Sequence, residues 1–160
     1  MKTESVIHFL KSAHFQFRFL NEAQVLAGFL AKVCPNPQLA IVGLTEILIN
    51  AVEHGNLAID YEEKTKLQKE NLWLSEVERR LKLPENSDKV VDVEFLKTVK
   101  EIRIKITDQG KGFDWHKYQN VDPNRVFDQH GRGIALAKAL LFSKLEFSEL
   151  GNEITCIIPL

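Results

Sequence analysis

The sequence from Thr45 to Gly55 is TEILINAVEHG, which has the spacing of an amphipathic helix. At about 100° per residue, one helix face is apolar and consists of Leu44, Ile47, Leu48 and Ala51. A different face carries the polar residues Glu46, Asn50, Glu53 and His54. Because residues four apart are neighbours on a helix, the Glu46 carboxylate and the Asn50 amide can contact one ligand. Such oxygen donors suit Mg²⁺ beside phosphates, although a solvated helix face fits the same pattern.

The composition is that of an ordinary globular domain. The chain has 160 residues, of which 44% are hydrophobic and 27% are charged, and its net charge is −1. This charge gives no reason to expect a nucleic-acid or membrane surface, and no apolar run of about 18 residues or signal-peptide pattern occurs. Cys34 and Cys156 lie in apolar surroundings without a CxxC partner, which predicts free buried thiols. We therefore expect one domain over residues 1–160 of a cytoplasmic protein.

The first third of the chain predicts one strand and two helices. Alternating apolar residues predict a strand over His14–Phe19. The following helix should run from Asn21, as its N-cap, to about Val33. Asn36 and the proline after it form the start signal of a second helix, which should continue to about His54.

Residues 60–86 form a charged segment that we interpret as a helical insert. Asp60 and Glu63 have the spacing of an N-terminal cap. Apolar residues follow at rough heptad intervals, namely Leu67, Leu74, Val77 and Leu81. One or two amphipathic helices are therefore expected, either packed onto the parent domain or serving a dimer or partner surface.

The second half predicts strands on both sides of a long loop. Strict alternation of apolar and polar residues predicts strands near residues 91–95 and 102–106, each with one buried face. A polar loop from about 113 to 130 suggests a lid, and a helix should follow from Ile134 to about Phe142. A closing hairpin turns at Gly151. This order predicts an α+β fold, a two-layer α/β sandwich whose mostly antiparallel, mixed sheet carries helices on one face.

Two glycine clusters indicate ligand-binding positions. Asp108 ends a strand, so its partly buried carboxylate needs a hydrogen-bond donor, which the exocyclic amine of a purine would supply. Gly110 and Gly112 would let a flat ring or phosphates approach, although a simple Asp–Gly turn is the alternative. Thr155 is either an ordinary β-branched strand residue or a hydroxyl that points to the pocket beside Asp108.

The second cluster is Gly131-Arg132-Gly133, which precedes the helix predicted after the lid. Free backbone N–H groups and the helix dipole at such a position favour phosphate binding. The alternative is a glycine-rich loop that only permits a tight helix start.

Together the three segments resemble the N, G1 and G2 boxes of the gyrase–histidine kinase–MutL (GHKL) ATPase superfamily. The chain has ExxxNAxxHG beginning at Glu46, DxGxG beginning at Asp108, and GRG beginning at Gly131. The resemblance is best to the anti-sigma-factor serine-kinase branch and extends from Phe15 to Ile158. The longer 60–86 segment resembles versions of this domain that serve as output modules of response regulators.

The resemblance implies the Bergerat ATP-binding fold with ATP and Mg²⁺ as cofactors. It implies that Asn50 coordinates Mg²⁺, that Glu46 is the general base, and that Asp108 receives the adenine amino group with help from Thr155. Glycines that match those shaping the pocket and lid are Gly110, Gly112, Gly131 and Gly133. Backbone groups near Arg132 and Gly133 would contact phosphates, whereas His54 is expected to be structural.

Two functions therefore stay open. The first is an ATP- and Mg²⁺-dependent serine/threonine protein kinase that phosphorylates a small anti-anti-sigma protein and binds a sigma factor. The second is a nucleotide-binding adaptor or partner-switch module with little or no catalysis, suggested by the long 60–86 insert. Homodimerisation is possible in either case, and a histidine kinase is disfavoured because only a short leader containing His8 precedes the domain.

Overall fold

The computed structural model describes residues 6–113 and 141–160, which contain five strands and four α-helices. In chain order they are β1 (Ser12–Phe17), α1 (Leu20–Ala31), α2 (Pro37–Asn50), α3 (Tyr61–Lys69), α4 (Trp73–Leu81), β2 (Val91–Lys97), β3 (Glu101–Thr107), β4 (Lys144–Phe147) and β5 (Glu153–Pro159). A π-helical segment, Ala51–Asn56, directly continues α2, and short 3₁₀ turns lie at Ile7–Phe9 and Pro84–Asn86. None of the helices within these ranges is long and apolar enough to cross a membrane.

The five described strands form one sheet in the order β1-β2-β3-β5-β4. Every neighbouring pair in it is antiparallel, so the parallel component of the expected mixed sheet is not found among these strands. Phe95 on β2 lies opposite Ile104 on β3, and Ile104 lies opposite Cys156 on β5. All three side chains are buried, which confirms the alternation that the sequence predicted.

The first two helices cover the apolar face of this sheet. Leu30 of α1 and both Leu44 and Leu48 of α2 are completely buried in the same core as Phe95 and Ile104. Each such side chain contributes roughly 1.5–3 kcal/mol by leaving water. The predicted α+β fold with a helical layer on one face of the sheet is confirmed.

The start of α1 differs from the prediction. β1 ends at Phe17, and α1 begins at Leu20 with Phe19 as its N-cap, so the predicted cap at Asn21 is wrong. The Glu22 carboxylate takes the capping role, because its Oε2 accepts hydrogen bonds from the backbone N–H of Arg18 (2.8 Å) and Phe19 (3.0 Å). A carboxylate in the first helical turn also interacts favourably with the helix dipole.

The start of α2 is as predicted, but its end is not an ordinary α-helical turn. Asn36 caps the helix, since its Oδ1 accepts from the Leu39 N–H at 3.1 Å. After Asn50 the turns widen, and the Leu57 N–H donates to Val52 O, five residues back, at 2.9 Å. Such π-helical turns are rare and occur frequently at functional sites.

The 60–86 segment packs against the described core. Asp60 caps α3, as predicted, because its Oδ1 accepts from the Glu63 N–H at 2.7 Å. Val77 of α4 is almost fully buried within the core, and Trp73 packs against it. The Arg18 guanidinium, just after β1, donates to Leu81 O at 2.6 Å. Intrachain packing, one of the two alternatives for this segment, therefore accounts for Leu67, Val77 and Leu81 of its apolar stripe, whereas Leu74 is 60% exposed.

Candidate functional site

A cavity of about 320 Å³ opens where the end of α2 meets the end of β3. Its walls come from α2, the segment that follows it, the loop after β3, and the β4–β5 hairpin. The residues that line it include Ile47, Asn50, His54, Gly55, Tyr61, Ile106, Asp108, Gly112, Asn152 and Ile154. Of the predicted site residues, Asn50, Asp108 and Gly112 line this cavity. Gly131, Arg132 and Gly133 lie outside the described residues, as does the predicted lid apart from residue 113.

Asn50 presents a buried amide to the cavity. Asn50 is 9% exposed, and neither Oδ1 nor Nδ2 of its side chain has a hydrogen-bond partner among the described residues. A buried polar group without a partner costs about 1–3 kcal/mol, so the fold retains Asn50 at a position where packing alone favours an apolar residue. A ligand that offers an acceptor, a donor or a cation would satisfy this amide.

The side-chain amide oxygen of Asn50, Oδ1, could bind a Mg²⁺ ion whose other ligands include phosphate oxygens. Mg²⁺ prefers oxygen ligands and commonly takes only one or two from the protein, the others coming from substrate phosphates and water. Within residues 6–113 and 141–160, no cluster of three His, Cys, Asp or Glu side chains could hold a metal ion. The described donor set therefore suits a cation that arrives with a phosphorylated ligand.

Asp108 stands at the end of β3 with its carboxyl partly buried. Burial raises the pKa of Asp108 to about 6, and the Gly110 N–H and the positive charge of Lys89 oppose that rise. The Gly110 N–H donates to Asp108 Oδ1 at 2.8 Å. The Asp108 backbone is fixed as well, because its N–H donates to Asn152 O at 2.9 Å. The site therefore holds the Asp108 carboxyl group, a hydrogen-bond acceptor, in a fixed position that is partly shielded from water.

The glycines around the cavity allow backbone segments to approach one another closely. A Cβ atom at Gly110 would lie 2.3 Å from Gly55 O, and one at Gly112 would lie 1.8 Å from Leu150 O. Gly112 also has a φ of +79°, which L side chains rarely adopt. We expected Gly110 and Gly112 to clear space for a ligand. A side chain at either position would collide with the chain itself; Gly112 lines the cavity, whereas Gly110 does not.

His54 forms part of the cavity wall and is held by two contacts. Its Nδ1 makes a hydrogen bond with Ile59 O, and its ring lies 4.1 Å, centroid to centroid, from the Tyr61 ring. Because Ile59 O can only accept, Nδ1 carries the proton in this contact. This arrangement agrees with the structural role expected for His54.

Unlike Asn50, neither Glu46 nor Glu53 lines the described cavity. Glu46 is half-buried and is not among the residues that line the described cavity. Glu53 is completely buried, and its Oε2 lies 2.6 Å from Lys64 Nζ. Burial raises the pKa of Glu53; Lys64 opposes that rise and the negative charge of Glu46 adds to it. Glu53 does not line the described cavity with Asn50, and the segment that carries it, Ala51–Asn56, is π-helical.

Thr155 faces away from the cavity, so its predicted position beside Asp108 is wrong. On β5 it lies opposite Lys105 of β3, whereas its neighbour Ile154 lies opposite Ile106. Ile154 and Ile106 both line the cavity, and side chains on a strand alternate between the two faces. Thr155 itself is not among the residues that line the cavity, and the wall at this strand is formed by Glu153 and Ile154.

Sequence reasoning also missed contributors to the site. Gly55 was part of the helical motif but received no role, and no role was predicted for Asn152, which also lines the cavity. Asn56 was missed too, although its buried Oδ1 accepts from the Gln109 N–H at 2.7 Å and so joins the end of α2 to the loop after β3. The sequence did contain a signal: the helical motif ends in a glycine, Gly55, and a residue without a side chain allows another segment to approach closely.

In a comparison with protein-family models, residues 23–158 match the histidine kinase-like ATPase domain. A search of curated proteins finds no match. The matched range contains Asn50, Asp108 and the three segments that resemble the N, G1 and G2 boxes. It supports membership of the GHKL superfamily and indicates ATP binding. With most of its length matched and with this fold, the chain belongs to the histidine kinase-like ATPase domain family.

Proposed function

We propose that this protein is an ATP- and Mg²⁺-dependent serine/threonine protein kinase of the anti-sigma-factor type. The observation that carries the proposal is the unpartnered, buried Asn50 amide, which lines the same cavity as the Asp108 carboxylate. An amide that can ligate a cation and a carboxylate that can accept from an amine are the two groups that a Mg²⁺–adenine nucleotide requires at its opposite ends.

In this proposal each residue has one role. Asp108 accepts a hydrogen bond from the adenine amino group, and Asn50 contributes its oxygen to Mg²⁺. The ion, when bound, neutralises charge on the phosphates during transfer. Backbone groups at Gly131, Arg132 and Gly133 contact the phosphates, and residues 113–130 serve as the ATP lid; these two assignments rest on the resemblance.

Glu46 is the proposed general base. It lies on α2 one helical turn before Asn50, a spacing that puts neighbouring side chains on one side of a helix. It would accept the proton of a serine or threonine hydroxyl as that hydroxyl attacks the γ-phosphate. The proposed protein substrate is a small anti-anti-sigma protein, with a sigma factor as a further partner and a homodimer as a possible assembly.

A second candidate function is a nucleotide-binding adaptor with little or no catalysis. One observation favours it, namely that Glu46 does not line the cavity formed by the described residues. An adaptor needs only a partner surface that responds to the nucleotide, so its output would not depend on the Glu46 carboxylate.

Calorimetric titration with ATP, with and without Mg²⁺, tests the nucleotide site. We expect Mg²⁺-dependent binding by the wild type and weaker binding by Asn50→Ala. Absence of ATP binding by the wild type would contradict both candidate functions.

The Glu46→Gln variant separates the kinase from the adaptor, because glutamine keeps the shape of the side chain but is not a base. A kinase should keep ATP affinity and lose transfer of the γ-phosphate to a serine or threonine hydroxyl, a reaction in which ADP is the leaving group. Equal rates of ADP formation in the wild type and Glu46→Gln would favour the adaptor.

A further inference from the structure

A buried ion pair links the helical insert to the end of α2. Lys64 of α3 is 8% exposed, and its Nζ lies 2.6 Å from Oε2 of the fully buried Glu53. The ammonium group also lies 5.5 Å from the centroid of the Trp73 ring. Burying two charges costs desolvation energy that largely offsets their attraction, so such a pair adds little net stability. What the pair does provide is a fixed geometry between two elements.

Glu53 holds one end of a cavity wall through two bonds. Its backbone carbonyl accepts from the Ile59 N–H at 2.9 Å, while its side chain reaches Lys64. The chain between these contacts folds back on itself and supplies one wall of the cavity. The wall residues are His54, Gly55, Ala58, Ile59, Asp60 and Tyr61.

A second cation from the insert supports the same wall. Arg80 Nη1 of α4 donates to the backbone carbonyls of Leu57 and Ala58, each at 3.0 Å. Ala58 has a φ of +53°, in the left-handed region that costs a non-glycine residue about 1–2 kcal/mol. Arg80 is itself held by Glu76 at 2.7 Å and by Glu63. The wall therefore keeps an unfavourable backbone conformation at Ala58. Arg80 contacts the wall directly, and Lys64 contacts Glu53, which holds one end of it.

We propose that Lys64 is a positioning residue of the nucleotide site, which it shapes by holding Glu53 and thereby the wall from His54 to Tyr61. This inference rests on the proposed ATP binding. It assigns the 60–86 insert a part in building the site, beyond packing on the core. Lys64 does not line the cavity, so its effect on a nucleotide is indirect.

The test uses four variants of the full chain. Lys64→Met removes the charge and keeps much of the side-chain volume, and Lys64→Arg keeps the charge. The double variant Glu53→Gln/Lys64→Met removes both charges, so that no unpaired charge stays buried. Lys66→Met, at an exposed position on the same helix, is the matched control. ATP affinity is measured by calorimetry and thermal stability by circular dichroism.

We expect Lys64→Met to weaken ATP binding about tenfold, since small displacements of positioned groups have large effects. Lys64→Arg should restore most of the affinity, and Lys66→Met should match the wild type. The double variant should recover thermal stability while its ATP affinity stays low. Wild-type affinity in a folded Lys64→Met, or recovery of affinity together with stability in the double variant, would overturn the proposal.

Hydrogen exchange separates this proposal from the proposed function, because it needs no nucleotide. The Leu57 and Ile59 amides, which bond to Val52 O and Glu53 O, should exchange faster in the double variant than in the wild type. The amide of Ile104 in the central strand β3 should be unchanged. If the wild type binds no ATP, the proposed function fails, and unchanged exchange at Leu57 and Ile59 then shows that Lys64 does not position the wall either.

Discussion

The Asp108 carboxylate lies where a side chain of residue 55 would have to be. A Cβ atom built on Gly55 would come within 2.3 Å of Asp108 Cγ and 2.6 Å of both carboxylate oxygens. The end of the helical motif and the end of β3 are therefore in direct contact, and two segments about fifty residues apart in sequence form one unit.

Gly55→Ala should destabilise the protein and displace Asp108. No carbon can approach a carboxylate to that distance, so either the helix end or the loop after β3 must move, at a cost of about 1–3 kcal/mol. Thermal unfolding measures the effect. Gly28→Ala within α1 is the control, because the nearest atom to its new Cβ is Ile41 Cδ1 at 3.9 Å. That change should stabilise by roughly 0.5–1 kcal/mol, and equal effects of the two variants would refute the close contact.

Asn50→Ala should weaken the binding of ATP with Mg²⁺ without lowering the thermal stability of the protein. Because neither polar atom of the Asn50 amide has a partner among the described residues, removing the amide breaks no hydrogen bond there. The midpoint of thermal unfolding should stay the same or rise, while affinity for ATP with Mg²⁺ falls. A fall in stability by more than about 1 kcal/mol would show that the amide has a structural partner.

Asp108→Asn should raise stability at pH 8 and leave it unchanged below pH 4. The pKa of Asp108 is about 6 in the folded protein and 3.8 in its ordinary state, so the folded state binds more protons between these values. The contribution of Asp108 to the free energy of unfolding therefore decreases as the pH rises through this window, by up to about 3 kcal/mol. Asparagine still offers Oδ1 to the Gly110 N–H and carries no charge.

Asp92→Asn is the control of opposite sign for that experiment. Hydrogen bonds from Gln16 and His14 and the His14 charge lower the pKa of Asp92, although burial opposes them. Ionised Asp92 therefore stabilises the fold above its ordinary pKa, and this contribution is lost as the pH falls. At pH 8, denaturant unfolding should show Asp108→Asn above the wild type and Asp92→Asn below it. The same sign for both variants would contradict the assignment.

Ala58→Gly should be neutral or stabilising. Glycine relieves the left-handed backbone at φ +53°, which costs alanine about 1–2 kcal/mol, but it makes the unfolded chain more flexible by about 0.4–1 kcal/mol. Lys66→Gly, in the helical backbone of α3, should instead destabilise by about 1 kcal/mol. Denaturant unfolding compares them; equal losses would mean that residue 58 is not left-handed in solution.

Both cysteine thiols should be unreactive in the folded protein. Burial raises the pKa of Cys34 to about 11 against the opposing charge of Lys97, and burial raises the pKa of Cys156 as well. Because the thiolate is the nucleophile, alkylation by iodoacetamide at pH 8 should be slow until denaturant is added. Rapid alkylation of either residue without denaturant would show that its surroundings open.

Local patterns predicted most of the described fold. Strand alternation near Val93 and Ile104 identified the sheet's buried face, because a period of two requires no knowledge of the partner strand. The caps at Asn36 and Asp60 were predicted correctly for a similar reason, since each involves residues only three apart. The cap at Glu22 was missed because a first-turn carboxylate can reach backward as well as an N-cap can reach forward.

The misplaced site residues depended on geometry that the sequence does not display. A helical wheel assumes α-helical turns throughout, so it could not predict the π-helical segment that carries Glu53. The need for glycine at position 55 follows from the tertiary contact with Asp108, which the sequence does not show. The position of Thr155 could have been inferred from its strand, since its neighbour Ile154 lies opposite Ile106 and both of these residues line the cavity.

The dependence of the cavity wall on α3 and α4 limits how this domain can be shortened. Deleting residues 61–86 would remove the cation beside Glu53 and the guanidinium that contacts the carbonyls of Leu57 and Ala58. A minimal version would need an apolar or small residue in place of Glu53 and a glycine in place of Ala58. In this chain a charged residue at position 53 is therefore tied to the presence of α3, because the buried Glu53 carboxylate would otherwise lose its ion-pair partner Lys64.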